Sequence, residues 1–436
     1  MKSIIVISFF IATANIASAQ LSNIKFNRCG TLPLPAEYEL WMQQKISELP
    51  ALRSTLHYDI PVVVHVIHNG ENPGTNSNIG DAQIISQIEV LNEDLGKMNA
   101  DTVQVPTPFK PLIANADISF HLATIDPAGN PTTGIDRIDR HAHPNWAAPP
   151  YGVYYFSNTI KGVTIWNPQH YMNIWVCELD SGVLGFATYP PSTGLAGLIN
   201  PFGTPTTDGI VIWCYSFGRQ GNLAAPYNRG RTATHETGHW LGLRHIWGDG
   251  TCAGGNNDFC NDTPPQDNHN FGCPMFPLID DSVNAAANIF WLGPCCSGNA
   301  PGSMFMNYMD YTDDNCMQMF TPNQVARMTA AMINSPIRNQ FTFIDTHHSE
   351  QGIIKIFPNP CNGIVHITLP DSKKIASFNI SITDLLGRPV KIYEVMNPTK
   401  GTYSINLADF SSGNGLYILE VSDEEGRFSG LLNVMK

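Results

Sequence analysis

The stretch His235-Glu236-Thr237-Gly238-His239-Trp240-Leu241-Gly242-Leu243-Arg244-His245 decides how the rest of the chain is read. Residues four apart lie on one face of a helix, so His235 and His239 present two imidazoles to one ion, with Glu236 beside them as a base. A straight helix would carry position 245 round and away from that face. Gly242 permits the left-handed conformation that ends a helix, and the turn swings His245 back as a third ligand. Three protein ligands leave a fourth position for water, the open arrangement of a catalytic zinc site rather than a closed structural one. A His-Glu-x-x-His pair alone also occurs on solvated helices, and the third histidine with glycine at the bend supplies the specificity.

Outward from this helix the pattern is mixed. Runs rich in β-formers cover Ile60–Ile67, Ile118–Ile125, Met172–Leu179, Val183–Tyr189 and Gly209–Cys214. Between the first two, Ile84, Ile88, Leu91 and Leu95 recur at helical spacing within Asp81–Met98. Thr321 as N-cap and Pro322 at the first helical position open a further helix to Ile333. An α+β domain over residues 54–345 follows. A His/Ser/Gln linker, 346–352, precedes short alternating strands with Asn-Gly and Gly-Asn-Gly turns over 353–436, the pattern of a small β-sandwich.

At the other end Lys2, the apolar run Ile4–Ile11 and Ala17-Ser18-Ala19 form an export signal over residues 1–19, removed to leave Gln20 first. Asn15 interrupts the apolar run well short of the ~18 residues a membrane anchor needs, and no later stretch reaches that length. Residues 20–53 are too few for their own core and read as a pro-segment, with a polar helical stretch at Glu37–Leu49. The 436-residue chain has 24 basic against 37 acidic side chains, net −13, without a Lys/Arg cluster, which excludes nucleic acid and anionic membrane as partners. Outside the cytoplasm its 10 cysteines are free to pair.

His235 to His245 resembles the zinc signature of the metzincin metalloproteases, and Asn307-Tyr308-Met309-Asp310-Tyr311 resembles their methionine turn. Within that clan Gly230-Arg231-Thr232, Asp262-Thr263-Pro264, Gly272-Cys273-Pro274 and Phe320-Thr321-Pro322 are similar to the pappalysin family. The resemblance implies a metzincin-like fold: a twisted sheet with an active-site helix, then an irregular lower subdomain after His245. Zinc would lower the pKa of its water toward ~7 and Glu236 would take the proton. Tyr311 matches the family position of a donor to the developing oxyanion, and Met309 would be an apolar floor under the imidazoles.

The same resemblance implies calcium in the lower subdomain, where Asp249, Asp258, Asp262, Thr263 and Asp267 crowd an irregular loop; Asp262 and Thr263 are the candidate ligands. It favours disulfides between Cys273 and Cys316, and between Cys252 and Cys295 or Cys296. Asp314, five residues after Met309, matches a family position associated with basic side chains just after the scissile bond. Arg28-Cys29-Gly30 resembles the cysteine switch of metzincin zymogens, Cys29 occupying the water position until the leader is cut, for which Leu52-Arg53 is the fitting bond. Residues 353–436 resemble type IX secretion sorting domains through Phe357-Pro358-Asn359-Pro360, Asp384-Leu385-Leu386-Gly387-Arg388, Gly415-Leu416-Tyr417 and Lys436. Together these describe a secreted zinc endopeptidase acting on protein or peptide substrates and exported by the type IX machinery. The competing class is a secreted binding or adhesion protein on a protease scaffold.

Overall fold

The structure, a computed structural model, describes residues 27–49, 56–180, 182–192, 202–248, 258–266, 268–277, 301–341, 343–345, 355–357, 361–368, 377–383, 389–396, 402–407, 415–422 and 427–434. Residues 1–19, the Leu52-Arg53 bond, the linker 346–352, Asp249, Asp267, Cys252, Cys295, Cys296, residues 384–388 and Lys436 lie outside them.

The chain divides into two compact units, one ending at Phe343 and one comprising Ile344–Lys436 with Ser54–Leu56. The first is built on a sheet in the order β1-β6-β7-β5-β2-β3, with β4 also paired to β2. Its strands are β1 (Asn27–Cys29), β2 (Leu56–His68), β3 (Ile118–Leu122), β4 (Ile135–Asp139), β5 (Met172–Cys177), β6 (Val183–Ala187) and β7 (Ile210–Trp213). β2 runs parallel to β3, β4 and β5, and β5 parallel to β7. Consecutive residues Val62, Val63 and Val64 are all fully buried, as a strand covered on both faces requires. β6 is antiparallel to β7, and beyond it the leader supplies β1, parallel to β6.

Four helices matter for the site. α1 (Ala36–Ser47) belongs to the leader, α2 (Asp81–Leu95) turns Ile84, Ile88, Leu91 and Leu95 inward, and α3 (Arg231–Trp240) carries the first two histidines. α4 (Pro322–Asn334) opens with a full capping box between Thr321 and Gln324. The leader is not merely polar. Having no core of its own, α1 shares one, burying Tyr38, Trp41 and Met42 with Tyr189, Phe202, Ala330 and Ala331.

In the second unit Lys355–Phe357, Ile364–Thr368 and Thr402–Asn406 form a three-stranded antiparallel sheet. Ser377–Thr383, Pro389–Met396, Gly415–Ser422 and Arg427–Val434 form a four-stranded one. Alternate residues such as Val365 and Ile367, Ile380 and Ile382, and Leu419 and Val421 make one core, as in a sandwich. Among the described residues no helix is long and apolar enough to cross a membrane.

Candidate metal centre

All ten residues of α3 are buried, so its polar side chains need partners. Arg231 at its start pairs with Asp94 and Asp101, and Thr234 donates to Asp94, which fixes the helix to α2. At its end Arg338 stacks on Trp240 and grips Asp208 with both guanidinium nitrogens, at 2.6 and 2.8 Å. Gly242 follows at φ 91°, and the chain turns back through Leu243.

The turn brings three imidazoles together. His239 Nε2 stands 3.2 Å from His235 Nε2 and 3.1 Å from His245 Nε2. Their other nitrogens are committed: His235 Nδ1 donates to the Tyr308 carbonyl at 2.7 Å and His239 Nδ1 to the Leu243 carbonyl at 2.9 Å. Because a carbonyl only accepts, both Nδ1 atoms carry the proton and both Nε2 atoms are bare lone pairs. Lone pairs so close repel unless a cation lies between them. Tetrahedral ligands at the ~2.0–2.1 Å of a zinc–imidazole bond stand about 3.3 Å apart, so the donor set fits zinc. Cys29 Sγ completes a group whose four ligand atoms all lie within 4.8 Å of one another.

Glu236 is fully buried beside them. Its Oε2 accepts from Thr31 Oγ1 at 2.9 Å and from Cys29 Sγ at 3.5 Å, while Oε1 is buried without a hydrogen-bond partner. Burial pushes this carboxyl up to about 8, against hydrogen bonds from Cys29 and Thr31 and the charge of Arg28. A divalent charge on the histidines would pull it back down. Burial likewise raises the Cys29 thiol well above its usual value, and Glu236 raises it further. A bound cation reverses that too, because a coordinating thiol loses its proton.

Met309 is fully buried, and a Cβ at Gly238 would lie 2.4 Å from its Sδ, so the two pack backbone to side chain. Tyr311 places its hydroxyl 3.2 Å from His245 Nε2, and Trp247 stacks on His245 at 4.3 Å. Asp314 is fully buried. It holds Arg28 of the leader at 3.1 Å and accepts from the Arg229 and Arg231 backbone N–H groups.

Asp262 and Thr263 each have hydrogen-bond partners of their own. Both oxygens of Asp262 serve the start of α4, accepting from Thr321 Oγ1 and from the Asn323 N–H at 2.8 Å each, and Thr263 Oγ1 donates to Asp258. Cys273 and Cys316 are bonded. Cys177 and Cys214 are buried free thiols, as their apolar strand patterns suggest. Sequence reasoning missed what Thr31, Glu39 and Tyr189 do. Thr31 links Glu236 to the Ala187 N–H, and Tyr189 reaches His239 Nδ1 at 3.1 Å. Their partners lie too far along the chain for any local pattern to record them.

Comparison with known proteins agrees with this geometry. Residues 156–333 match the pregnancy-associated plasma protein-A family, and residues 355–431 match the secretion system C-terminal sorting domain. A promirolysin variant from Tannerella forsythia is 39% identical, with a TM-score of 0.59 over 72% of this chain and 96% of that one. Mature mirolysin of the same organism, solved with a cleaved peptide, is 43% identical with a TM-score of 0.54 over 65% of this chain and 95% of that one. Extracellular metalloprotease 1 of Coccidioides posadasii is 27% identical across 72% of this chain and 91% of its own length.

Proposed function

The chain belongs to the pappalysin family of secreted zinc metalloproteases, and from that premise we propose that it is an endopeptidase made as a cysteine-switch zymogen, with the following division of labour. His235, His239 and His245 hold zinc, which when bound polarises a substrate carbonyl and acidifies water. Glu236 accepts the proton of the attacking water and delivers it to the leaving amine. The Tyr311 hydroxyl donates to the carbonyl oxygen as negative charge builds there; loss of such a donor typically costs ~10²–10³ in turnover. Gly242 and Met309 shape the metal site without touching substrate.

The observation that carries this reading is the convergence of three Nε2 atoms beside a buried glutamate. Metal content by mass spectrometry, with hydrolysis of a generic protein before and after zinc chelation, tests it. Glu236→Ala is expected to retain zinc and lose at least ~10² in turnover. Full activity in that variant refutes the assignment, and a matured chain that binds zinc but cleaves nothing leaves the binding or adhesion protein in its place.

The pro-segment, residues 20–53, blocks the site in this reading. Cys29 takes the water position and Thr31 engages the proton acceptor. Asp314 becomes the seat of an Arg or Lys just after the scissile bond, a reading supported by the guanidinium of Arg28 already held there. Processing then cuts before Arg53, so that the mature chain begins at Arg53 and carries the catalytic domain, 54–345. The linker 346–352 and the sandwich 353–436 complete the chain. The matched sorting module addresses the protein to type IX export, and the product is extracellular or on the cell surface.

Calcium is proposed as a structural ion of the lower subdomain only. Because Asp262 and Thr263 already have partners, it would have to draw on further oxygens of that loop. A thermal midpoint unchanged by a calcium-selective chelator removes it. The expected bridge from Cys252 to Cys295 or Cys296 is checked by peptide mapping.

A further inference from the structure

The leader grips the enzyme on two sides of the zinc-binding turn. In front, Cys29 and Thr31 reach Glu236. Behind, α1 inserts Glu39, 3% exposed, between two arginines of the enzyme body. Arg327 donates to it from both terminal nitrogens, at 2.5 and 3.0 Å, and Arg244 Nε donates at 3.1 Å. Arg244 also donates to the Leu34 carbonyl of the leader at 3.0 Å. One of these arginines lies in the turn and the other, on α4, holds it. Arg244 precedes the third histidine, and Arg327 donates to the carbonyl of Gly242 at 3.2 Å. Met42 packs on the same glycine, where an added Cβ would meet its Cε at 3.0 Å.

We propose that Arg244 and Arg327 form a carboxylate-binding site of the enzyme body whose partner is Glu39 of the leader, and that this site keeps the leader bound after its end is cut. The proposal rests on residues 20–53 being a pro-segment. Two buried guanidiniums are costly without an anion, and a bidentate carboxylate is the geometry that satisfies them. Every leader residue of this back anchor lies N-terminal to Leu52-Arg53, so that cut breaks none of its contacts. Cleavage there and activation are therefore separate events. The cut leader is a non-covalent inhibitor until it dissociates or is degraded.

The probe is a synthetic peptide of residues 27–49 added to the full-length chain after processing, its new N-terminus sequenced and its leader removed. Inhibition of peptide hydrolysis and fluorescence anisotropy of the labelled peptide are both read. The wild-type peptide is expected to inhibit. The Glu39→Gln peptide is expected to bind at least ~30-fold more weakly, the loss typical when one partner of a buried charge pair is removed. The Cys29→Ala peptide, with its back anchor intact, is expected to bind still while inhibiting less. Equal binding by the Glu39→Gln and wild-type peptides overturns the anchor, as does no binding by the wild-type peptide. An unprocessed chain as active as the processed one overturns the pro-segment reading instead, and the proposal with it. Because the enzyme body is never altered, misfolding cannot mimic either result.

Discussion

Gly238→Ala probes whether Met309 is a rigid floor. Alanine is favoured over glycine within a helix by about 1 kcal/mol, so at an unencumbered site this change would stabilise α3. Here the new methyl would sit 2.4 Å from Met309 Sδ and 3.3 Å from its Cε. Ordinary contact is ~3.5–4.0 Å, so the overlap exceeds about 1 Å. Met309 cannot simply retreat, because its N–H donates to Asn307 Oδ1 at 2.9 Å and its carbonyl accepts from the Ile246 N–H at 3.1 Å. The side chain must repack, at a cost of about 1–3 kcal/mol for an overfilled core. Less the gain in helix propensity, the net destabilisation is ~0–2 kcal/mol, or several degrees of melting temperature at most. Displacing Met309 should also tilt His235 and His239 and weaken zinc binding. Calorimetry with zinc saturated and chelated, zinc competition, and kcat/KM measure the two effects. A double-mutant cycle with Met309→Ala sharpens the test, since the added methyl then enters space the methionine has left. The pair is expected to be sub-additive by about 1 kcal/mol or more. A Gly238→Ala variant that melts higher, with unchanged zinc affinity and turnover, refutes the close packing on which all this depends.

Arg28→Ala breaks a fully buried ion pair in the latent form alone. At the ~3–5 kcal/mol typical of such a loss, the leader should open between about 10² and several 10³-fold more often and the precursor should mature faster, followed by timed N-terminal sequencing; an unchanged rate removes Arg28 from the latch. Asp314→Ala should abolish any preference for Arg or Lys after the scissile bond in a peptide library while leaving total zinc unchanged; an intact preference places the pocket elsewhere. Burial pushes Lys161 down to about 7, against the opposing charges of Asp208 and Glu236. Between pH ~7 and ~10 the unfolded chain then holds the extra proton, so this group's cost to stability, complete below 7, fades as pH rises. Lys161→Met should lack that upward slope in chemical denaturation across the window, and parallel curves for the two proteins contradict it.

Much of the fold is legible from local pattern. The β-rich run Ile60–Ile67 became β2, the helical spacing over Asp81–Met98 became α2, and Thr321-Pro322 opened α4 within a residue of expectation. β4 escaped because Ile135–Asp139 is partly exposed and charged, with no apolar alternation to mark it. β1 escaped because three residues carry no period, and the strand exists only through pairing with β6. The leader helix was visible as a helix but not as a buried one, since Glu39 reads as solvated until its two arginines are in view.

What the sequence by itself determined is what neighbouring residues determine for each other. A helix brings His235 and His239 to one face, and glycine at 242 turns the chain so that His245 returns; both follow from backbone geometry within a few bonds. What only the tertiary structure decided is which distant charges meet. Asp314 holds Arg28 from 286 residues away, Arg327 grips Glu39 from 288, and Thr31 reaches Glu236 across 205. In sequence nothing marks any of these pairs, because the local pattern around one partner holds no record of the other. The physical reason is that a buried charge is tolerated only where a partner is already placed, and that partner's position is fixed by the sheet and helices rather than by the chain around it.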